Sequence, residues 1–414
     1  MNELECRQSE WKQMLLYKDS RGQSVHKQSL RRSVAVAASL FALTACSDLK
    51  KLSNFKMPED TGCNEYIENE QWPAAIACFT EQLEKQPNDA KLLAWRGYCY
   101  EQANNHHRAI EDTTKALTLD PSIDSVYDSR ANAYRMLKVY KNAIKDFTAE
   151  IKVHPDDADS YVNRAGCYDD MKDFKDALKD YDKAIEIDSN STVALNNRGW
   201  VYLEQKDYQK AIEDFDACLQ QDEKYTNAYY NRAAANIALG KLDEALVDMK
   251  HLSSEDASEV QTSSTRGFIY LLKKAPEKAL KEFTDAVDRS ADEENSLWAK
   301  IYCYLTYRFM KQPDKAERIL KDSIAEAPGN NWPYAVLLYL NGKIGDTHLL
   351  ELCSNDDERS DARLVISLSE ILAGENTKAK ENMTWLKDHA MPSDRAYFVA
   401  VAALKDPSIF RQPY

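Results

Sequence analysis

Three asparagines recur at a fixed interval of 34 residues: Asn163, Asn197 and Asn231. Each stands immediately before an arginine, and Ser129 and Thr265 hold the same place one interval earlier and one later. An asparagine side chain carries both a donor and an acceptor, so it can pair with the N–H and the C=O of an extended peptide. Stepped along one surface, such residues would hold a backbone without reading its side chains. The equal alternative is that these amides only pack neighbouring helices. A second ladder is ionic. Arg96, Arg130, Arg164, Arg198, Arg232 and Arg266 are followed sixteen residues later by Asp112, Asp146, Asp180, Asp214, Asp248 and Glu282. The simplest reading is one structural Arg–carboxylate pair per repeat, its value set by burial, since exposed pairs contribute only about 0–1 kcal/mol. The alternative has the arginines lining a groove for acidic ligands.

The framework behind both ladders has the same period. Gly97, Ala131, Ala165, Gly199, Ala233 and Gly267 mark a small position, and Tyr100, Tyr134, Tyr168, Tyr202 and Tyr270 follow three residues later. Ala109, Ala143, Ala177, Ala211, Ala245 and Ala279 sit twelve beyond the small residue. Each unit reads as two short amphipathic helices, the small residue permitting their close approach. Pro87, Pro121, Pro155 and Pro328 fall where a second helix ends, and Pro73 and Pro276 where one begins. The pattern resembles the tetratricopeptide (TPR) repeat. That resemblance implies an all-α solenoid, a right-handed superhelix of about eight helix pairs over residues 56–330. The first unit is degenerate, and the eighth starts near 297 after a slip of about three residues. In that fold the first helices line the concave face and the asparagine position points into the groove. The three asparagines resemble the ladder in the TPR superhelix of protein O-GlcNAc transferases.

Near the N-terminus Arg31 and Arg32 precede an apolar run, Ser33 to Ala45, too short to span a bilayer but suited to a signal peptide. Its ending, Leu43-Thr44-Ala45-Cys46, resembles the lipobox of bacterial lipoproteins, which implies cleavage before Cys46 and acylation of its thiol. Residues 1–45 are then a signal segment, with the true start expected at Met14 or nearer the arginines, and residues 46–58 a lipidated tether. Ser47 favours the outer membrane over the inner. Membrane contact is expected through the acyl chains alone. The formal charge of −14 becomes −17 once residues 1–45, with seven Lys/Arg and four Asp/Glu, are removed. That balance argues against nucleic acid as a partner. Beyond Cys6 and Cys46, seven of the nine cysteines remain, with no metal-ligand spacing. Most read as small apolar fillers, although Cys63 with Cys78, or Cys78 with Cys99, fits pairing across packed helices.

No catalytic motif is present: no H-E-x-x-H, G-x-S-x-G, P-loop or dinucleotide turn. His106 and His107 read as solvated residues between helices. No enzyme activity, cofactor or metal is expected. The carboxylate clamp of some TPR cochaperones is also missing, its places holding Ala94, Tyr98, Val193 and Asn197. Residues 331–414 lose the repeat phase but keep helical patterns at 361–373, 376–388 and 394–404, and read as a cap over the last repeat. Trp332-Pro333-Tyr334 and the apolar stretch to Leu340, with Gly374 and Ala379, resemble the C-terminal region of periplasmic TPR lipoproteins of the NlpI type. This chain has more repeats than that group. The resemblance implies an adaptor in the bacterial envelope, facing the periplasm, which gathers envelope proteins such as cell-wall hydrolases or proteases. The alternatives are a pilotin-like assembly factor for a secretin, pilus or outer-membrane complex, or an accessory subunit of an exopolysaccharide system. A glycan groove would use Trp95 and Trp200 rather than asparagines.

Overall fold

The computed structural model describes residues 62–406, except 125, 253–258, 328, 330, 331 and 393. The expected signal segment, Cys46, the tether and Pro328 lie outside the described residues. Helices joined by short turns make up the described chain, and no strand occurs among the described residues. The chain divides into two compact units at Pro155 and Asp156.

The N-terminal unit holds α1 (Asn64–Glu68), α2 (Trp72–Lys85), α3 (Ala90–Gln102), α4 (His106–Leu119), α5 (Val126–Met136) and α6 (Tyr140–Val153). The C-terminal unit continues the alternation with α7 (Ala158–Asp170), α8 (Phe174–Ile187), α9 (Thr192–Glu204), α10 (Tyr208–Gln221), α11 (Thr226–Leu239) and α12 (Leu242–His251). It goes on through α13 (Glu259–Leu272), α14 (Pro276–Arg289), α15 (Glu293–Phe309) and α16 (Pro313–Glu326). Odd-numbered helices to α15 are the first helices of their repeats and even-numbered ones the second. This is the all-α helix-pair solenoid that the period implies. The slip in phase is absorbed by α15, which has 17 residues where α7 and α9 have 13. That is about one added turn.

Local chemistry sets the boundaries. The Asp89 carboxylate accepts from the backbone N–H groups of Lys91 and Leu92 at 2.9 and 3.0 Å, capping α3. Pro73 and Pro276 stand in the first turns of α2 and α14, where the missing N–H costs nothing. The small position is dictated by contact: a Cβ on Gly97 would lie 2.6 Å from Thr113 Cγ2, and one on Gly199 2.7 Å from Phe215 Cε1. Ala131, Ala165 and Ala233 fill the same place fully buried. Several of the turns between the two helices of a repeat place a lysine in the left-handed region, at φ 60° for Lys138, 61° for Lys172 and 65° for Lys206. His106 and His107 are the first residues of α4 rather than of a linker. His107 is exposed, but His106 is half-buried, and burial, with His107 beside it, pushes its pKa down.

Beyond the repeats come α17 (Trp332–Leu340), α18 (Asp346–Glu351), α19 (Asp356–Ala373), α20 (Asn376–His389) and α21 (Arg395–Lys405). These helices do more than close the last repeat. Helix α21 packs on α11, α13 and α19, so it returns to first helices laid down more than a hundred residues earlier. One continuous core runs from Ala233 and Ile237 through Phe268, Phe283 and Tyr302 to Phe398 and Val399.

Candidate interaction surface on the first helices

The ionic ladder closes inside each repeat. Arg96 Nε and Nη2 donate to Asp112 at 2.6 and 2.8 Å, and Arg130 to Asp146 at 2.7 and 2.8 Å. Arg164 reaches Asp180 at 2.6 and 2.7 Å, and Arg198 reaches Asp214 at 2.9 and 2.6 Å. Arg232 Nη2 lies 2.5 Å from Asp248, and Arg266 Nε 2.7 Å from Glu282. The remaining nitrogen, Nη1, reaches back sixteen residues to the second helix of the preceding repeat. Arg96 meets Thr80 at 3.2 Å, Arg130 meets Thr114 at 3.3 Å, Arg198 meets Asp182 at 2.8 Å and Arg232 meets Asp216 at 2.5 Å. At Arg266 the residue sixteen back is Lys250, and Nη2 turns to Ser263 instead, at 2.9 Å. These guanidinium groups are consumed by the scaffold, which leaves the acidic-ligand alternative little to bind with. The backward bond was not read from the sequence, although Thr80, Thr114, Asp182 and Asp216 share one register.

The asparagine register behaves differently from place to place. In the C-terminal unit, α7 packs beside α9 and α9 beside α11. Asn163 on α7 and Asn231 on α11 are buried, whereas Asn197 on α9 is half-buried. Asn231 Nδ2 donates to Asn196 Oδ1 at 3.3 Å, and Asn196 Nδ2 to Asn197 Oδ1 at 3.2 Å. This amide chain ties α9 to α11, and Asn196 was not singled out by the period. Thr265 on α13 is buried and donates to its own helix, at Gln261 O, 2.9 Å. Ser129, in the N-terminal unit, is buried on α5. Asn197 is therefore the most accessible polar group of the register.

Part of this first-helix face is filled by α21. Lys405 Nζ donates to the carbonyl oxygen of Ala238 at 2.6 Å, and the hydroxyls of Tyr208 and Tyr397 share a hydrogen bond. Lys206 Nζ donates to Lys387 O at 3.0 Å and lies over the Tyr397 ring. The start of α21 is pinned by Arg395, which donates to Asp361 at 3.0 Å beneath the rings of Trp298 and Tyr302. Of the two tryptophans considered for glycans, Trp95 is 1% exposed and packs edge-on against Tyr98, so it is core. Trp200 is half-buried.

The N-terminal unit contains a feature with no sequence signal. Glu101 on α3 and Asp128 on α5 are both buried, and burial, reinforced by Asp128, pushes the Glu101 carboxyl up to about 8. Gln102 donates to it at 2.9 Å and Asn132 to Asp128 at 3.2 Å. The two acids are 27 residues apart, off the repeat interval. Of the two cysteine pairings, Cys63 with Cys78 forms, joining α1 to α2. Cys99 stays a buried thiol, its pKa pushed up to about 12 by burial. Among the described residues no group of three or more His, Cys, Asp or Glu is placed to hold a metal, and no helix is long and apolar enough to cross a membrane.

Comparison with known proteins agrees with the geometry. Tetratricopeptide repeat models match residues 64–122, 158–191 and 192–225, so the chain carries tetratricopeptide repeats. No curated protein matches it in sequence. Three solved structures are similar to parts of the chain. A tetratricopeptide repeat protein from Parabacteroides merdae is 19% identical over 59% of this chain and 96% of its own, with a TM-score of 0.45. MamA is 24% identical over 41% of this chain and 97% of its own, with a TM-score of 0.38. YrrB, a TPR protein with an unusual peptide-binding site, is 23% identical over 54% and 97%, with a TM-score of 0.33.

Proposed function

We propose that the protein is a non-enzymatic interaction scaffold whose first-helix face captures a segment of a partner protein. The observation that carries this reading is the seating of α21 on α11 and α13: the face already receives a polypeptide, through side chain to backbone hydrogen bonds such as Lys405 to Ala238 O. The neighbouring helices α7 and α9, with Asn163, Asn197 and Trp200, are where a partner's extended backbone would add. Asn231 and Thr265, both buried and bonded within the scaffold, do not contribute to it.

The lipobox-like sequence at Cys46 supports a bacterial lipoprotein held in the envelope by its acyl chains, with the outer membrane favoured. Anchoring a binder raises the local concentration of whatever it captures, which is how an adaptor works without doing chemistry. An envelope adaptor of the NlpI kind is the specific form proposed.

Two measurements test this. Pull-downs from envelope extracts, analysed by mass spectrometry, should lose specific partners when Asn163 and Asn197 are both changed to Ala while circular dichroism is unchanged. An unaltered partner set places binding elsewhere and removes the reading. Separately, Cys46→Ser should move the protein from the membrane to the soluble fraction; retention in the membrane would dispose of the lipid anchor.

A further inference from the structure

The repeat register lets one occupied position explain an adjoining one. On α11, Ala238 receives the Lys405 ammonium on its carbonyl oxygen at 2.6 Å. One repeat earlier, 34 residues back, the same helix position holds Glu204 on α9, and one repeat before that the exposed Asp170 on α7. Glu204 stands at the margin of the occupied face, close enough to Tyr397 of α21 for its charge to raise the Tyr397 pKa. Its side chain is 10% exposed. One carboxylate oxygen, Oε2, accepts from Lys172 Nζ at 3.2 Å, while Oε1 is buried with no hydrogen-bond partner. A buried acceptor left without a donor loses its hydration with nothing in return, so native chains pair nearly all of them. Lys172 is itself 58% exposed and donates to Oε2 and not to Oε1.

We infer that Glu204 is the acceptor for a lysine or arginine side chain of the captured segment, the counterpart on α9 of the contact that Lys405 makes on α11. The partner class is thus a basic peptide segment running on from the end of the face that α21 fills. The inference rests on the proposed function and adds the partner's chemistry to it. A cation arriving here meets a carboxylate where Lys405 finds only a carbonyl, and bonds to ionised acceptors are the stronger kind. The chain's net charge of −14 draws such segments in at long range but does not choose the site.

The test is fluorescence anisotropy with the full chain and three labelled twelve-residue peptides, alternating Ser with Lys, with Gln or with Glu. The Lys peptide should bind about tenfold tighter than the Gln peptide, and the Glu peptide more weakly than either. Glu204→Gln, with its thermal midpoint checked, should weaken the Lys peptide about fivefold and leave the Gln peptide unchanged. Glu213→Gln, an exposed acid on the second helix α10, should change neither. If Glu204→Gln has no effect, or Glu213→Gln has an equal one, the attraction is diffuse and the inference fails. If Lys and Gln peptides bind alike and Asn197→Ala weakens both, the inference fails while the scaffold reading stands. If no peptide binds, both fall.

Discussion

Arg198 holds Asp214 through two hydrogen bonds, 2.9 Å from Nε and 2.6 Å from Nη2, and spends its third nitrogen on Asp182 at 2.8 Å. Asp214 is 8% exposed and Asp182 is 58% exposed, so one guanidinium makes a buried contact within its repeat and an exposed one to the repeat before. The two should differ in worth. Burial pushes the Asp214 pKa up even beside Arg198, so desolvation works against the pair. Asp214→Ala leaves a largely buried guanidinium without its main partner and is expected to cost about 3–5 kcal/mol. Asp182→Ala should cost about 1 kcal/mol or less. Urea unfolding of the two variants measures this directly; equal losses would mean that the ladder is not organised by burial.

The Glu101 carboxyl gives a pH dependence whose sign is opposite to that of a salt-bridged acid. Its folded pKa of about 8 lies above the ordinary 4.5, so the folded state holds the proton more tightly than the unfolded chain does. Stability is therefore full below pH 4.5 and falls as the pH rises towards 8. Asp128 is the charged neighbour, and Gln102 donates to the carboxylate. Glu101→Gln keeps the shape and removes the ionisation. The variant should exceed the wild type at pH 8 by on the order of 4 kcal/mol, with the difference vanishing below about pH 4.5. Thermal unfolding of both chains across that range is the measurement, and parallel profiles would show that Glu101 is not desolvated.

What was legible beforehand follows from which contacts repeat. The small position was readable because close helix packing limits its size in every repeat: a Cβ on Gly97 or Gly199 would collide with Thr113 or Phe215, and Ala131, Ala165 and Ala233 are fully buried there. The pairing of Arg198 with Asp214 has a constant sixteen-residue separation for the same reason. Contacts made once leave no periodic trace. Glu101 meets Asp128 across two repeats, off the interval, and α21 reaches α11 from beyond the point where the phase is lost. The asparagine register shows a third limit: spacing placed Asn197 and Asn231 at one helix position, but the hydrogen bond from Asn231 to Asn196 depends on how closely α9 and α11 approach.

The helix-to-helix turns carry a conformational cost that a single substitution can expose. Lys138 sits at φ 60° with its N–H bonded to Arg135 O at 2.8 Å, and its side chain is exposed. An L residue pays roughly 1–2 kcal/mol in this region, and a β-branched one more. Lys138→Gly is expected to hold or raise the stability, because relief of that cost outweighs the added chain entropy. Lys138→Ile should lower it by about 1–2 kcal/mol. Comparing the two by thermal unfolding separates backbone strain from any role of the lysine ammonium, since both variants lose the charge and only one loses stability.

The return of α21 to α11 and α13 makes the C-terminal helix part of the repeat core rather than a detachable end. Phe398 is 1% exposed and lies in the core that includes Phe268 and Tyr302, whereas Tyr397 ties the helix to Tyr208 through their hydroxyls. Phe398→Ala removes a fully buried ring and is expected to cost about 3–5 kcal/mol. Tyr397→Phe removes one hydrogen bond and should cost about 1 kcal/mol. The loss from Phe398→Ala should fall on the C-terminal unit, which contains that core. Hydrogen exchange read by mass spectrometry should therefore show faster exchange in α11, α13 and α21 of this variant. Protection in α3 and α4 of the N-terminal unit should be unchanged. If exchange rises in α21 alone, the helix is an appendage resting on the repeats, and the first-helix face can be vacated without loosening them.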